Sequence, residues 1–144
     1  MFEKLFMLVK NNAGTAVIDN PLIPVKHHEA IINDASGSII DVLKGQIETG
    51  KLKDMIKYFQ FPGIYSSNPL IGTTVNKFAN KLNNYYGLEP ADALKTANAL
   101  IPQVMQQLID QSKNEGNKEF SLHHLLEMLG GSNINTVLNP LTAA

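Results

Sequence analysis

Four histidines stand in two adjacent pairs, His27-His28 and His123-His124. On a helix His123 and Glu127 lie one turn apart, presenting an imidazole and a carboxylate on one face, donor types that a divalent metal takes from protein. Two donors do not close a site. His27, His28 and Glu29 would supply the rest only if the two segments met in space, and the third position of the usual His-Glu-x-x-His set is missing. Exposed helix-end histidines are the simpler expectation, so no metal ligand is assigned.

Carboxylates seven residues apart share a helix face, as Asp34 and Asp41 do, and Asp41 and Glu48 after them. Such a pair could divide acid and base roles if burial raised one pKa. With Asp54, Asp92 and Asp110 scattered beyond, the pattern is that of a solvated helix face. Ser36, Ser38, Ser66, Ser67, Ser112, Ser121 and Ser132 lack a Gly-x-Ser-x-Gly elbow, and neither a Gly-x-x-x-x-Gly-Lys loop nor a Gly-x-Gly-x-x-Gly turn occurs. The chain has no cysteine, which removes disulfides, thiolate metal sites and cysteine nucleophiles. No catalytic, cofactor-binding or metal-ligating residue is assigned, no cofactor is expected, and the chain is read as not an enzyme.

The most basic stretch runs from Lys44 to Lys57 through Lys51 and Lys53, and Tyr58, Phe59, Phe61 and Tyr65 follow it. Lysines interleaved with aromatics can hold single-stranded nucleic acid by neutralising phosphates and stacking bases. Glu48 and Asp54 dilute that charge, and Phe59 belongs to an apolar stripe. A helix-turn-helix reading of the Gly87 turn gives a recognition helix beginning Glu89-Pro-Ala-Asp92, with only Lys95 to meet phosphate. Globally, 12 Lys and Arg against 13 Asp and Glu leave a formal charge of −1, too small to draw the chain to nucleic acid or anionic lipid.

The elements that must position these groups are helical. Ile32, Ala35, Ile39, Val42, Leu43 and Ile47 recur at spacings of three and four, predicting a helix over Ile31 to Ile47 with one apolar face. Gly37 and Gly45 inside it imply close packing against a neighbour. A second helix is predicted from Pro90 to Gln111 on Leu94, Ala97, Ile101, Val104, Met105, Leu108 and Ile109, with Pro102 as a kink. Between them, Asn68 and Pro69 open a helix carrying Ile71, Val75, Phe78, Leu82 and Tyr85, which Gly87 closes. Met1 to Lys10 is a further short helix, and Ala16 to Ile18 is too short a strand signal to anchor a sheet.

The stripes of the two long helices align at an offset of 62, Ile32 with Leu94 through Ile47 with Ile109. Each is followed by a short amphipathic segment, Leu52, Met55, Ile56 and Phe59 in one case and Leu122, Leu125, Leu126 and Leu129 in the other. Two degenerate helical repeats, with their stripes facing each other, account for this. The extra residues of the second unit fall in a polar loop, Ser112 to Glu119.

Phe78-Ala-Asn-Lys-Leu82, Tyr86-Gly-Leu-Glu-Pro-Ala-Asp-Ala93, Ala99-Leu-Ile-Pro-Gln-Val-Met-Gln-Gln-Leu108 and Leu125-Leu-Glu-Met-Leu-Gly-Gly131 together resemble the YidB-like family of bacterial proteins. The resemblance spans Ile31 to Gly131, with Asn83-Asn84-Tyr85-Tyr86 inserted before the glycine. It implies a compact multihelical fold, no established biochemical activity and no catalytic residues to carry over.

The expected architecture is an all-α, compact multihelical domain of about five or six helices over residues 1–131, with a loosely held tail over 132–144. At 144 residues one core suffices without disulfide or metal staples. The longest apolar run near the start, Leu5 to Val9, lies between Lys4 and Lys10 and is shorter than the roughly 7 to 15 residues of a secretory segment or the roughly 20 of a membrane helix. The chain is accordingly read as cytoplasmic, with no membrane partner and nucleic acid disfavoured. What remains is an unidentified protein partner or a second copy of the chain, with a nucleic-acid-binding regulator and a small metal-binding or enzymatic protein with a cryptic site as the alternatives. The surfaces expected to serve are Ile64, Tyr65, Pro69 and Leu70 around the Pro62-Gly63 turn, and Ile134, Val137, Leu138 and Leu141 in the tail.

Overall fold

The computed structural model describes residues 2–60 and 68–112. The second short amphipathic segment, the Pro62-Gly63 turn, His123, His124 and Glu127, and the tail lie outside the described residues. In chain order the elements are α1 (Phe2–Asn11), a π turn (Gly14–Ile18), a 3₁₀ turn (Val25–His27), α2 (His28–Glu48), α3 (Leu52–Gln60), α4 (Pro69–Tyr86) and α5 (Pro90–Ser112), with no strand among the described residues.

Apolar periodicity makes each helix. Leu5, Leu8 and Val9 bury one face of α1, and Leu52, Met55, Ile56 and Phe59 are all buried on α3, as their spacing predicts. Phe59 and Phe78 are among the largest fully buried side chains, each contributing about 2–3 kcal/mol of transfer free energy. The 3₁₀ turn advances α2 to His28, ahead of the first stripe residue.

The ends of α4 follow local chemistry. Asn68 holds extended backbone while its side-chain oxygen accepts the Leu70 N–H at 2.9 Å, and Pro69 occupies the first turn, where a missing donor costs nothing. At the far end Gly87 adopts φ +70°, its N–H donates to Asn83 O at 3.2 Å, and Asn83 Nδ2 donates to Leu88 O at 2.7 Å. A side chain at that φ would be strained, which is why glycine stops the helix here. Pro90 then opens α5, which continues through Pro102 to Ser112. Ser112 is therefore the buried last residue of α5, not the first of a loop.

Packing differs from the sequence expectation in three respects. First, α2 and α5 each pack their backbones most extensively on α4, while the two long stripes, expected to face one another, meet in the core that all the helices share. Second, the α5 stripe is buried from Ala97 through Ile109 as spaced, and Ala93, Thr96 and Leu100 widen it, but its first residue, Leu94, is 43% exposed, so the proposed Ile32 counterpart lies off the core. Tyr85 on α4 is likewise exposed, its place being taken by the half-buried Tyr86. Third, close packing does not explain the α2 glycines: a Cβ at Gly45 would meet nothing within 4 Å, and one at Gly37 would make an ordinary contact, 3.7 Å from Lys81 Nζ. All five helices nonetheless feed one hydrophobic core.

Candidate functional site

The most organised polar group lies on the seam between α2 and α4. Asp34, Gly37 and Asp41 occupy one face of α2 at helical spacing. Tyr86 OH donates to Asp34 Oδ2 at 2.5 Å, and Lys81 Nζ lies 3.6 Å from Asp41 Oδ2. The ascending positions of α2 thus meet descending positions of α4, an antiparallel pairing. Burial, and then the facing Asp34 carboxylate, hold the Tyr86 phenol well above its ordinary range, because ionisation would place a second negative charge beside the first. His27 packs its ring 5.3 Å from that of Tyr86, and Tyr85 meets Tyr86 edge-on at 6.4 Å.

This geometry separates the carboxylates that the seven-residue spacing put together. Asp34 answers a phenol and Asp41, half-exposed, answers a lysine, so the two do not share a proton site. Glu48 and Asp54 are exposed. The histidine pair divides in the same way: His27 faces Tyr86, while His28 Nε2 lies 3.3 Å from Ile23 O, and Glu29 points to solvent. Among the described residues no group of three or more His, Cys, Asp or Glu could hold a metal ion.

The described serines are structural. Ser36 Oγ donates to Ile32 O at 3.0 Å, Ser38 Oγ to Asp34 O at 2.8 Å and Ser112 Oγ to Ile109 O at 2.6 Å, all inside helices and all buried. In the basic stretch Lys44, Lys51, Lys53 and Lys57 are exposed, but Phe59 is 1% exposed and belongs to the core, so it offers no face to a base. Leu70, expected on a docking surface, is buried as well.

Exposed apolar surface concentrates elsewhere. Of the six large hydrophobic side chains exposed among the described residues, Met7 lies on α1 and Ile18, Leu22 and Val25 fall between α1 and α2, with Val25 81% exposed. Ile18 also lines a cavity of about 250 Å³ with Phe6, His28 and Ile32. Neighbouring these residues, the π turn carries Thr15 and Ala16 against α5. Two amide bridges tie this region to α5. Asn12 and Gln107 exchange hydrogen bonds at 3.0 and 2.9 Å, and Asn20 Nδ2 donates to both Ala16 O and Thr96 Oγ1. Periodicity does not reveal these residues because the segment 13–27 has no helical period. The available signal was four apolar residues, Ile18, Leu22, Ile23 and Val25, punctuated by Pro21 and Pro24, of which only Ile23 is buried.

Comparison with protein-family models, with curated proteins and with solved structures finds no match.

Proposed function

We propose that this chain is a non-enzymatic protein that acts by binding another protein or a second copy of itself. The observation that carries the reading is the exposed apolar set of Met7 on α1 with Ile18, Leu22 and Val25 in the Pro-punctuated segment that follows, a part of the chain that Asn12 and Asn20 tie to α5. Exposed apolar residues concentrated in one part of the chain favour a protein partner over a solvated role. The partition of Asp34, Asp41, His27 and His28 among separate structural partners supports the same reading. The resemblance to YidB-like bacterial proteins, the two related halves and a cytoplasmic setting belong to this proposal. No described helix is long and apolar enough to cross a membrane.

The competing reading is a nucleic-acid-binding regulator acting through Lys51 and Lys53. One experiment separates them: retention of the tagged, folded protein's partners from lysate of its host, eluted with salt and read for protein and nucleic acid. The proposal expects a stoichiometric protein, or self-association in sedimentation. Nucleic acid that elutes steeply with salt and is lost on Lys51→Ala with Lys53→Ala would replace it with the regulator.

A further inference from the structure

Between the π turn and the first half of α5 lies a cavity of about 350 Å³, open to solvent on one side. Its size falls at the small end of ligand pockets, suited to a molecule of amino-acid dimensions. Ala16, Ala99 and Leu22 contribute apolar surface to its lining. Asn20 ties the π turn to α5: its amide nitrogen spans Ala16 O at 3.0 Å and Thr96 Oγ1 at 3.2 Å, while its side-chain oxygen accepts Leu22 N–H at 2.9 Å.

Three charged side chains line this cavity: Asp19 from the connecting segment, and Asp92 and Lys95 from α5. None of the three forms an ion pair or hydrogen bond with another side chain among the described residues, so their charges are available to a guest. The lining therefore carries two carboxylates and one ammonium around a partly apolar wall. We propose that the cavity binds a small diamino acid, with its two ammonium groups toward Asp19 and Asp92 and its carboxylate toward Lys95. A diamine would leave Lys95 as an unanswered like charge, and a dicarboxylate would face two of them. This site goes beyond the protein-binding reading, sharing Leu22 and Asn20 with it, and the titration below reads it without any protein partner.

The test is a titration of the full chain followed by amide chemical shifts, with L-lysine, cadaverine and L-glutamate as probes. Saturable shifts with L-lysine, confined to residues 15–22 and 92–99, are expected, with weaker binding of cadaverine and none of glutamate. Asp92→Asn is expected to weaken L-lysine about tenfold, the effect of losing one charge-assisted contact. Lys95→Gln, at an exposed position, is expected to abolish the preference for L-lysine over cadaverine while leaving the remaining amide spectrum in place. The proposal is overturned by L-lysine shifts that do not saturate, by shifts spread over the other helices, by glutamate binding as well as L-lysine, or by variants that bind as the parent does.

Discussion

The Tyr86 hydroxyl donates to the Asp34 carboxylate across 2.5 Å, joining the last turn of α4 to the first third of α2. This half-buried, charge-assisted bond fixes the antiparallel register that Lys81 and Asp41 continue farther along the seam. Tyr86→Phe deletes the donor and leaves the carboxylate partly desolvated, so it should lower unfolding stability by about 1–2 kcal/mol. Asp34→Asn keeps an acceptor oxygen and should cost less. Urea denaturation of the two variants and of their combination measures the coupling; additive losses would show that the bond contributes nothing as a pair.

The same contact makes stability depend on alkaline pH. Burial and Asp34 raise the Tyr86 pKa in the folded state relative to the unfolded chain, so the folded state holds the proton more tightly. The contribution is fully present below the ordinary phenol pKa of about 10 and is lost as pH rises above it. The parent should thus lose stability above about pH 10 more steeply than Tyr86→Phe. Parallel curves for the two proteins in thermal melts would contradict this assignment.

Within the α5 stripe expected by periodicity, Ile101 and Leu94 have opposite fates. Ile101 is 0% exposed and Leu94 43%. Ile101→Asp buries an unpaired carboxylate and should abolish cooperative folding. Leu94→Asp should change stability by no more than about 0.5 kcal/mol. Circular dichroism melts of both variants are sufficient, and equal damage from each would place Leu94 back in the core.

Two glycines flank opposite expectations. Gly72 sits exposed in α4, and a Cβ there meets nothing within 4 Å, so Gly72→Ala should stabilise the protein by about 0.5–1 kcal/mol through helix propensity. Gly87 holds φ +70°, so Gly87→Ala should destabilise by about 1 kcal/mol despite equally open space. Chemical denaturation of the pair reads both signs in one experiment.

Much of the architecture was legible because its determinants are local. Asn68-Pro69, Gly87 and Pro90 set helix ends by capping chemistry alone, and the α3 stripe is buried as spaced. What periodicity could not supply was the exposure of Leu94, since it shares a helical face with the buried Ile101 and Met105 and differs from them only in lying near the start of α5. Nor could spacing reveal that Asp34 and Asp41 face Tyr86 and Lys81, because those partners lie 52 and 40 residues away and are matched only by the docking of α4. The apolar face around Val25 was hidden for a third reason: residues 13–27 fold into single π and 3₁₀ turns whose exposure follows from tertiary packing on α5 and α2.

The central claim, that the Met7 to Val25 face receives a protein, is tested most directly by site-specific photo-cross-linking. Because the chain has no cysteine, Val25→Cys carries a single cross-linker on that face, and Asn80→Cys on exposed α4 serves as the comparison. The account predicts one dominant adduct from position 25, with a defined protein or a second copy of the chain, and none of it from position 80. Equal, diffuse labelling from both positions, or no adduct at position 25 with a strictly monomeric protein, would contradict it.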